Sequence, residues 1–250
     1  HGIFSYRLLI HMFFVLFCLT FVLSFLLVVS VSFSDEADLN QYGYRIIPKT
    51  FSLEAYKYVF SNPKQINDAY KITMFQAFTG AFLNVLVMSL CAYPLSRQNF
   101  KYKTPITFYI FFTMLFGGGL IPNYILNTQY LKLGNTIWVY IFPSLANAFH
   151  IIILRTFFQG LPSSLVESAK IDGASEVRIF FTIIIPLSKP VLATIALFNL
   201  LGRWNDWMSS LLYIKDPELY TLQYLLQRIL NEAAFLKQVA AQMPVVLKMS

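Results

Sequence analysis

Arg203-Trp-Asn-Asp-Trp207 lies inside an apolar run from Pro190 to Ile214 and carries the only two charges of that run. A charge within a bilayer costs about 2.5–3.5 kcal/mol on insertion scales, so Arg203 and Asp206 need compensation. Two arrangements supply it. A spacing of three places both on one helical face, where guanidinium and carboxylate can pair. Alternatively, the faces of Trp204 and Trp207 and the hydrogen-bonding groups of Asn205 and Asp206 line a path for a ring-bearing, hydroxyl-rich solute. Metal and disulfide chemistry lack their residues: Cys18 and Cys91 both fall in apolar stretches, and His1, His11 and His150 are far apart. The chain also has no Gly-x-x-x-x-Gly-Lys phosphate loop, so it cannot hydrolyse ATP by that route.

The elements that must hold these residues are membrane spans. Of 250 residues, 57% are hydrophobic and only 12% charged, and Phe occurs 25 times. An average soluble domain carries about twice that charged fraction. Five apolar stretches reach the roughly 20 residues needed to cross a bilayer: Leu8–Val31, Thr73–Leu95, Pro105–Leu126, Thr136–Phe158 and Pro190–Ile214. The expected class is an all-α polytopic membrane protein, organised as a leading transmembrane helix (1–32), an extracytoplasmic segment (33–70) with a short helix near Ser52–Phe60, and a membrane core (71–250). The first span has no small-residue cleavage site after it and is expected to be retained.

The net charge of +7 belongs to loops, not to a nucleic-acid surface. Arg7, the basic segment Arg97-Gln-Asn-Phe-Lys-Tyr-Lys103, and Arg155, Lys170, Arg178 and Lys189 fall on one side if every span crosses. Their excess marks that side as cytoplasmic. Five spans leave the ends on opposite sides, and Met243-Pro-Val-Val begins another apolar run, so a sixth span beyond residue 250 is expected. Gly117–Gly119 weakens span three by about 1 kcal/mol per glycine relative to Ala. Close helix packing is the first explanation and a break lining a path the second.

Between spans four and five the chain turns polar over Glu167–Pro190. Ser164-Leu-Val-Glu167 fits a capping box with Pro162 ahead of it, predicting a short helix over 164–171. Asp172-Gly173 ends that helix in a sharp turn. This elbow is too short to span anything and is held between two membrane helices. It is either an ordinary interfacial loop helix or a knob through which a partner moves both spans.

The order Glu167-Ser168-Ala169, three residues, Gly173, nine residues, Ile183-Ile-Ile-Pro186 resembles the EAA loop of ABC importer permeases. That loop reads Glu-Ala-Ala, three residues, Gly, nine residues, Ile, any residue, Leu-Pro. Ser168 and Ile185 depart from it with the spacing intact. Asp172-Gly173-Ala174 and Pro186-Leu187 with Pro190 are similar to the carbohydrate-uptake, maltose-type branch. Ala92-Tyr-Pro-Leu-Ser-Arg97 and Trp204-Asn-Asp206 are similar to sugar permeases. Gly117-Gly-Gly-Leu-Ile-Pro122 and Leu219–Leu230 resemble a subgroup importing oligosaccharides cut from polysaccharides.

The resemblance implies a type I ABC importer transmembrane domain. Its elbow would be the coupling helix, with Glu167, Ser168, Ala169, Asp172 and Gly173 docking a separate ATPase that binds ATP and Mg. Trp204, Asn205, Asp206 and Trp207 would border the sugar path. Tyr220, Gln223 and Tyr224, on a segment 215–238 with a helical apolar stripe, would meet an extracytoplasmic solute-binding protein. The expected assembly adds a homologous second permease and two ATPase subunits in membrane lipid. A permease for a glycerol-phosphate ester, a secondary transporter or channel, and a scaffolding membrane protein are the rival readings.

Overall fold

The computed structural model describes residues 2–60 and 63–246, which divide into two compact units, His1–Lys64 and Gln65–Ser250. Among the described residues there is no strand, only an isolated antiparallel bridge from Ser34 to Phe51.

The first unit begins with α1 (Gly2–Ser32), which is apolar on every face and has no internal proline. At 1.5 Å per residue it spans about 46 Å, more than the roughly 30 Å hydrocarbon layer. None of its most apolar 18-residue window is buried in the protein, as expected of a helix whose solvent is lipid. Asp35 caps α2 (Glu36–Tyr42) by accepting the Ala37 N–H at 2.8 Å. The helix expected near 52–60 is α3 (Glu54–Val59). Phe33 stacks on Phe51 and on Tyr56, each at 5.2 Å, and so closes this segment over α3.

α4 (Pro63–Ser96) starts ten residues before the expected span two, with Pro63 at its first position, where a missing N–H costs nothing. It contributes to two hydrophobic clusters of the second unit. One joins Met88, Ala92, Tyr93 and Leu95 to Ile151, Leu154, Val166, Phe180 and Leu192. The other gathers Val139, Tyr140, Ile141, Ile214 and Tyr220.

The remaining three expected spans are not single helices. Span three is α5 (Lys103–Leu115) and α6 (Leu120–Ile125), with the helical run after the break lying at 113° to α5. Gly119 has φ +83°, which only glycine adopts freely, and a Cβ on Gly117 or Gly119 would meet nothing within 4 Å. Within this chain the glycines serve the break, and only Gly118 would bring a Cβ into contact, 3.5 Å from Pro122. Span four is a 3₁₀ stretch over Ile137–Ser144, then α7 (Ala148–Gln159), bent by 51°; Asn147 caps α7 by accepting the His150 N–H. Span five stops early. α11 (Lys189–Trp204) ends at Asn205, and α12 (Met208–Tyr213) follows an irregular step.

The elbow holds α8 (Ser163–Ile171), α9 (Glu176–Ile179), a π-turn at Phe180–Ile184 and α10 (Ile185–Leu187), and α11 leaves that run at 80°. Ser164 does not cap α8. Pro162 takes the cap position, so the helix begins one residue early and Ser164, its second residue, carries one of the free N–H groups instead of capping one. The segment after span five becomes α13 (Leu222–Val246). Met243-Pro-Val-Val thus continues a helix already running and does not start a new one, and the expected sixth span lies outside the described residues.

Candidate functional site

The elbow is a helix-turn-helix closed by backbone bonds. Ala174 N–H reaches Ala169 O at 2.9 Å and Gly173 N–H reaches Lys170 O at 3.0 Å, the paired bonds of a Schellman stop. Gly173 at φ +75° makes it possible. Ser175 then caps α9 by accepting the Arg178 N–H. Val166 faces the core, whereas Glu167, Ser168, Asp172 and Gly173 are exposed and Ala169 is half-buried. Ile171, at the tip, is 87% exposed. All five elbow residues expected to dock a partner therefore lie on one short, outward-facing structure.

A groove of about 820 Å³ runs beneath it, lined by Tyr93, Arg97 and Phe100 from the end of α4 and its loop and by Glu167, Lys170 and Glu176 from the elbow. The basic segment 97–103 and the elbow thus share one end of the unit, as the loop charges predict. Glu176 is the polar centre of the groove. Lys170 Nζ lies 2.6 Å from one of its oxygens, and the Tyr93 hydroxyl donates to the other at 2.6 Å. The Lys170 hydrogen bond, then that of Tyr93, hold the Glu176 carboxyl below its ordinary value of 4.5.

The expected Arg203–Asp206 pair does not form. Arg203 is buried and spends its guanidinium on neutral acceptors: Asn84 Oδ1 from Nε at 3.1 Å and Nη2 at 2.7 Å, Tyr140 O from Nη1 at 2.6 Å, and Ser144 Oγ from Nη2 at 2.9 Å. Gln76 Nε2 donates back to Arg203 O at 2.6 Å. Gly80 lies under the guanidinium, and a Cβ there would collide with it. The 3₁₀ stretch of span four ends at Ser144, so carbonyls freed by that break become acceptors for the arginine. Asp206 turns instead to the first turn of α12, where its Oδ1 accepts the Ser209 N–H at 3.0 Å.

Asn205, Asp206 and Trp207 border a cavity of about 360 Å³ with Ser144, Gly202, Arg203 and Met208; Trp204 is half-buried and is not among its lining residues. The expected binding-protein contacts lie nearby. Gln223 Nε2 donates to Asn205 Oδ1 at 3.3 Å, which ties the start of α13 to the broken span. Tyr220 is buried beneath the surface with its ring edge-on to Tyr224 at 4.7 Å, leaving Tyr224 and Gln223 half-buried. Thr221 Oγ1 donates to Asp206 O at 3.0 Å, and Leu222 N–H to Thr73 Oγ1 at 2.8 Å. Sequence reasoning missed Gln76, Gly80, Asn84, Tyr140 and Ser144. Gln76, Gly80 and Asn84 recur every four residues in an apolar span, and that polar row was the available signal.

The architecture defines a class, an α-helical membrane protein with an exposed elbow between two of its expected spans. The chain belongs to the family described as "Binding-protein-dependent transport system inner membrane component", whose model matches residues 86–247. Among its relatives, Protein LplC of Bacillus subtilis is 43% identical over 208 residues, 83% of this chain and 70% of that protein. The polygalacturonan/rhamnogalacturonan transport system permease protein YtcP of Bacillus subtilis is 41% identical over 224 residues, 90% of this chain and 78% of that one. A bacterial ABC transporter involved in the import of the acidic polysaccharide alginate superposes with a TM-score of 0.82 at 27% identity, covering 97% of this chain and 95% of its counterpart. The fold is that of an ABC importer transmembrane domain, and the chain is a transport permease.

Proposed function

We propose that this permease carries oligosaccharides released from larger polysaccharides inward across the cytoplasmic membrane, powered by a separate ATPase. The observation that carries the reading is the elbow, a nine-residue helix with an 87% exposed isoleucine at its tip, fixed between two membrane spans. Glu167, Ser168, Ala169, Asp172 and Gly173 dock the ATPase on the cytoplasmic side, where the basic loops collect. ATP and Mg are bound there, on the partner subunit. The assembly comprises a second, homologous permease, two ATPase subunits and an extracytoplasmic solute-binding protein.

Asn205, Asp206 and Trp207 line the sugar path with Trp204 behind them. Gln223 and Tyr224, supported from below by Tyr220, meet the binding protein, and the Gln223–Asn205 bond puts that contact next to the path. The relatives that transport polygalacturonan, rhamnogalacturonan and alginate make uronate-bearing oligosaccharides the first solutes to assay. Co-purification tests the docking role. Glu167→Lys and Gly173→Pro should each leave the permease in the membrane but strip the ATPase from it. Retention of the ATPase by both variants contradicts the assignment.

A further inference from the structure

We propose that Glu176 and Tyr93 form a mechanical link between the elbow and the end of α4, so that movement of α8 is delivered to span two as well as to the two helices the elbow joins covalently. The inference rests on the elbow being the ATPase-facing element.

The elbow is bonded through the chain only to α7 and to the run ahead of α11. Its connection to α4 is noncovalent, and much of it is apolar: Val166, Ile179 and Phe180 pack in the same cluster as Met88, Ala92, Tyr93 and Leu95. Apolar contacts resist separation but have no preferred direction, so such a surface can slide. Glu176 adds direction. One carboxylate oxygen is held by Lys170 of α8 and the other by Tyr93 of α4, each at 2.6 Å. Charge-assisted bonds of that length are among the stronger ones a protein makes.

Lys170 and Glu176 also stand on opposite sides of Gly173. A glycine turn with φ +75° is by itself a place where the backbone can hinge. The ion pair spans that hinge and makes α8 and α9 move together. At the other end the phenol cannot yield. Tyr93 is 8% exposed, its ring lies 5.2 Å from that of Phe180, and the Arg97 guanidinium sits 4.4 Å from its centroid. One carboxylate therefore stiffens the turn and anchors it to span two. Glu176 is a positioning residue outside the five residues that face the ATPase.

Import per ATP hydrolysed, measured on the intact importer in proteoliposomes, separates transmission from docking. The Glu176 side chain is about half exposed and its bonds are screened, so Glu176→Gln should lower import per ATP about threefold to fivefold. Tyr93→Phe should act in the same direction and more weakly. The double variant should be no worse than Glu176→Gln alone, because both remove one linkage. ATPase co-purification and the hydrolysis rate should stay near the unmodified values in all three. Unchanged import per ATP in both single variants overturns the link. So does loss of the ATPase in parallel with transport, since that marks Glu176 as part of the docking surface. A lack of ATP-driven import by the unmodified complex removes the coupling reading, and the link falls with it.

Discussion

The Arg203 cluster and the Glu176 clasp both organise a charge against α4, but they do so in opposite ways. Arg203 is buried, and its donors end on carbonyl, amide and hydroxyl oxygens contributed by α4 and the broken span four. Glu176 is more than half exposed at its side chain and is held by one lysine and one tyrosine. Removing any member of the first leaves buried polar atoms without partners, whereas the second can part and be rehydrated. The first is suited to a fixed pivot inside the membrane domain and the second to a joint on its surface. A permease that changes shape needs both, and α4 carries a part of each.

This contrast can be broken first at the pivot. Arg203→Leu orphans Asn84 Oδ1, at about 1–3 kcal/mol for a buried group, and leaves the Tyr140 carbonyl only a 3.4 Å bond from Ser144 Oγ. Little monodisperse protein should be recovered in detergent, and what is recovered should melt well below the unmodified permease. Gly80→Ala should destabilise by about 1–3 kcal/mol, because the new Cβ drives the guanidinium off its acceptors. Gly202→Ala is the internal comparison: an added Cβ there meets nothing within 4 Å, and its melting temperature should not fall.

Changes at the joint should be gentler. Gly173→Ala forces a non-glycine residue to φ +75° and should cost about 1–2 kcal/mol locally, lowering ATPase co-purification while insertion stays normal. The smallest effect is on acid stability. The carboxyl of Glu176 is held below 4.5 by Lys170 and Tyr93, with the Arg97 charge adding to it. Its contribution is therefore complete above 4.5 and is lost as pH falls through the depressed folded value. Melting curves of the unmodified protein and Glu176→Gln should differ slightly at pH 7, within the roughly 1 kcal/mol of an exposed ion pair, and converge in acid. A gap that persists or widens in acid contradicts the assignment.

The joint was far more legible in the sequence than the pivot, for physical reasons. The elbow is local: Glu167, Gly173 and Pro186 sit at fixed spacings within twenty residues, and glycine's freedom at positive φ marks the turn. Only its cap was misplaced, by two residues, because Pro162 took the cap position expected of Ser164. The pivot depends on Asn84 and Arg203, 119 positions apart, and no local pattern announces that contact. A spacing of three made Asp206 the natural partner for Arg203, but the helix ends at Trp204 before the two can share a face. Hydropathy registered five apolar stretches and could not register where three of them break, since it measures composition and not backbone continuity. Gly117–Gly119 was the one break with a visible residue signal.

The central claim is that ATP hydrolysed by a partner moves oligosaccharide through this permease by way of the elbow. Uptake of labelled oligogalacturonide into proteoliposomes holding the assembled complex tests it most directly. Uptake should require ATP on the elbow side and the binding protein on the opposite side, and Glu167→Lys should abolish it. Uptake that proceeds without ATP, driven by an ion gradient and indifferent to Glu167→Lys, would contradict the account.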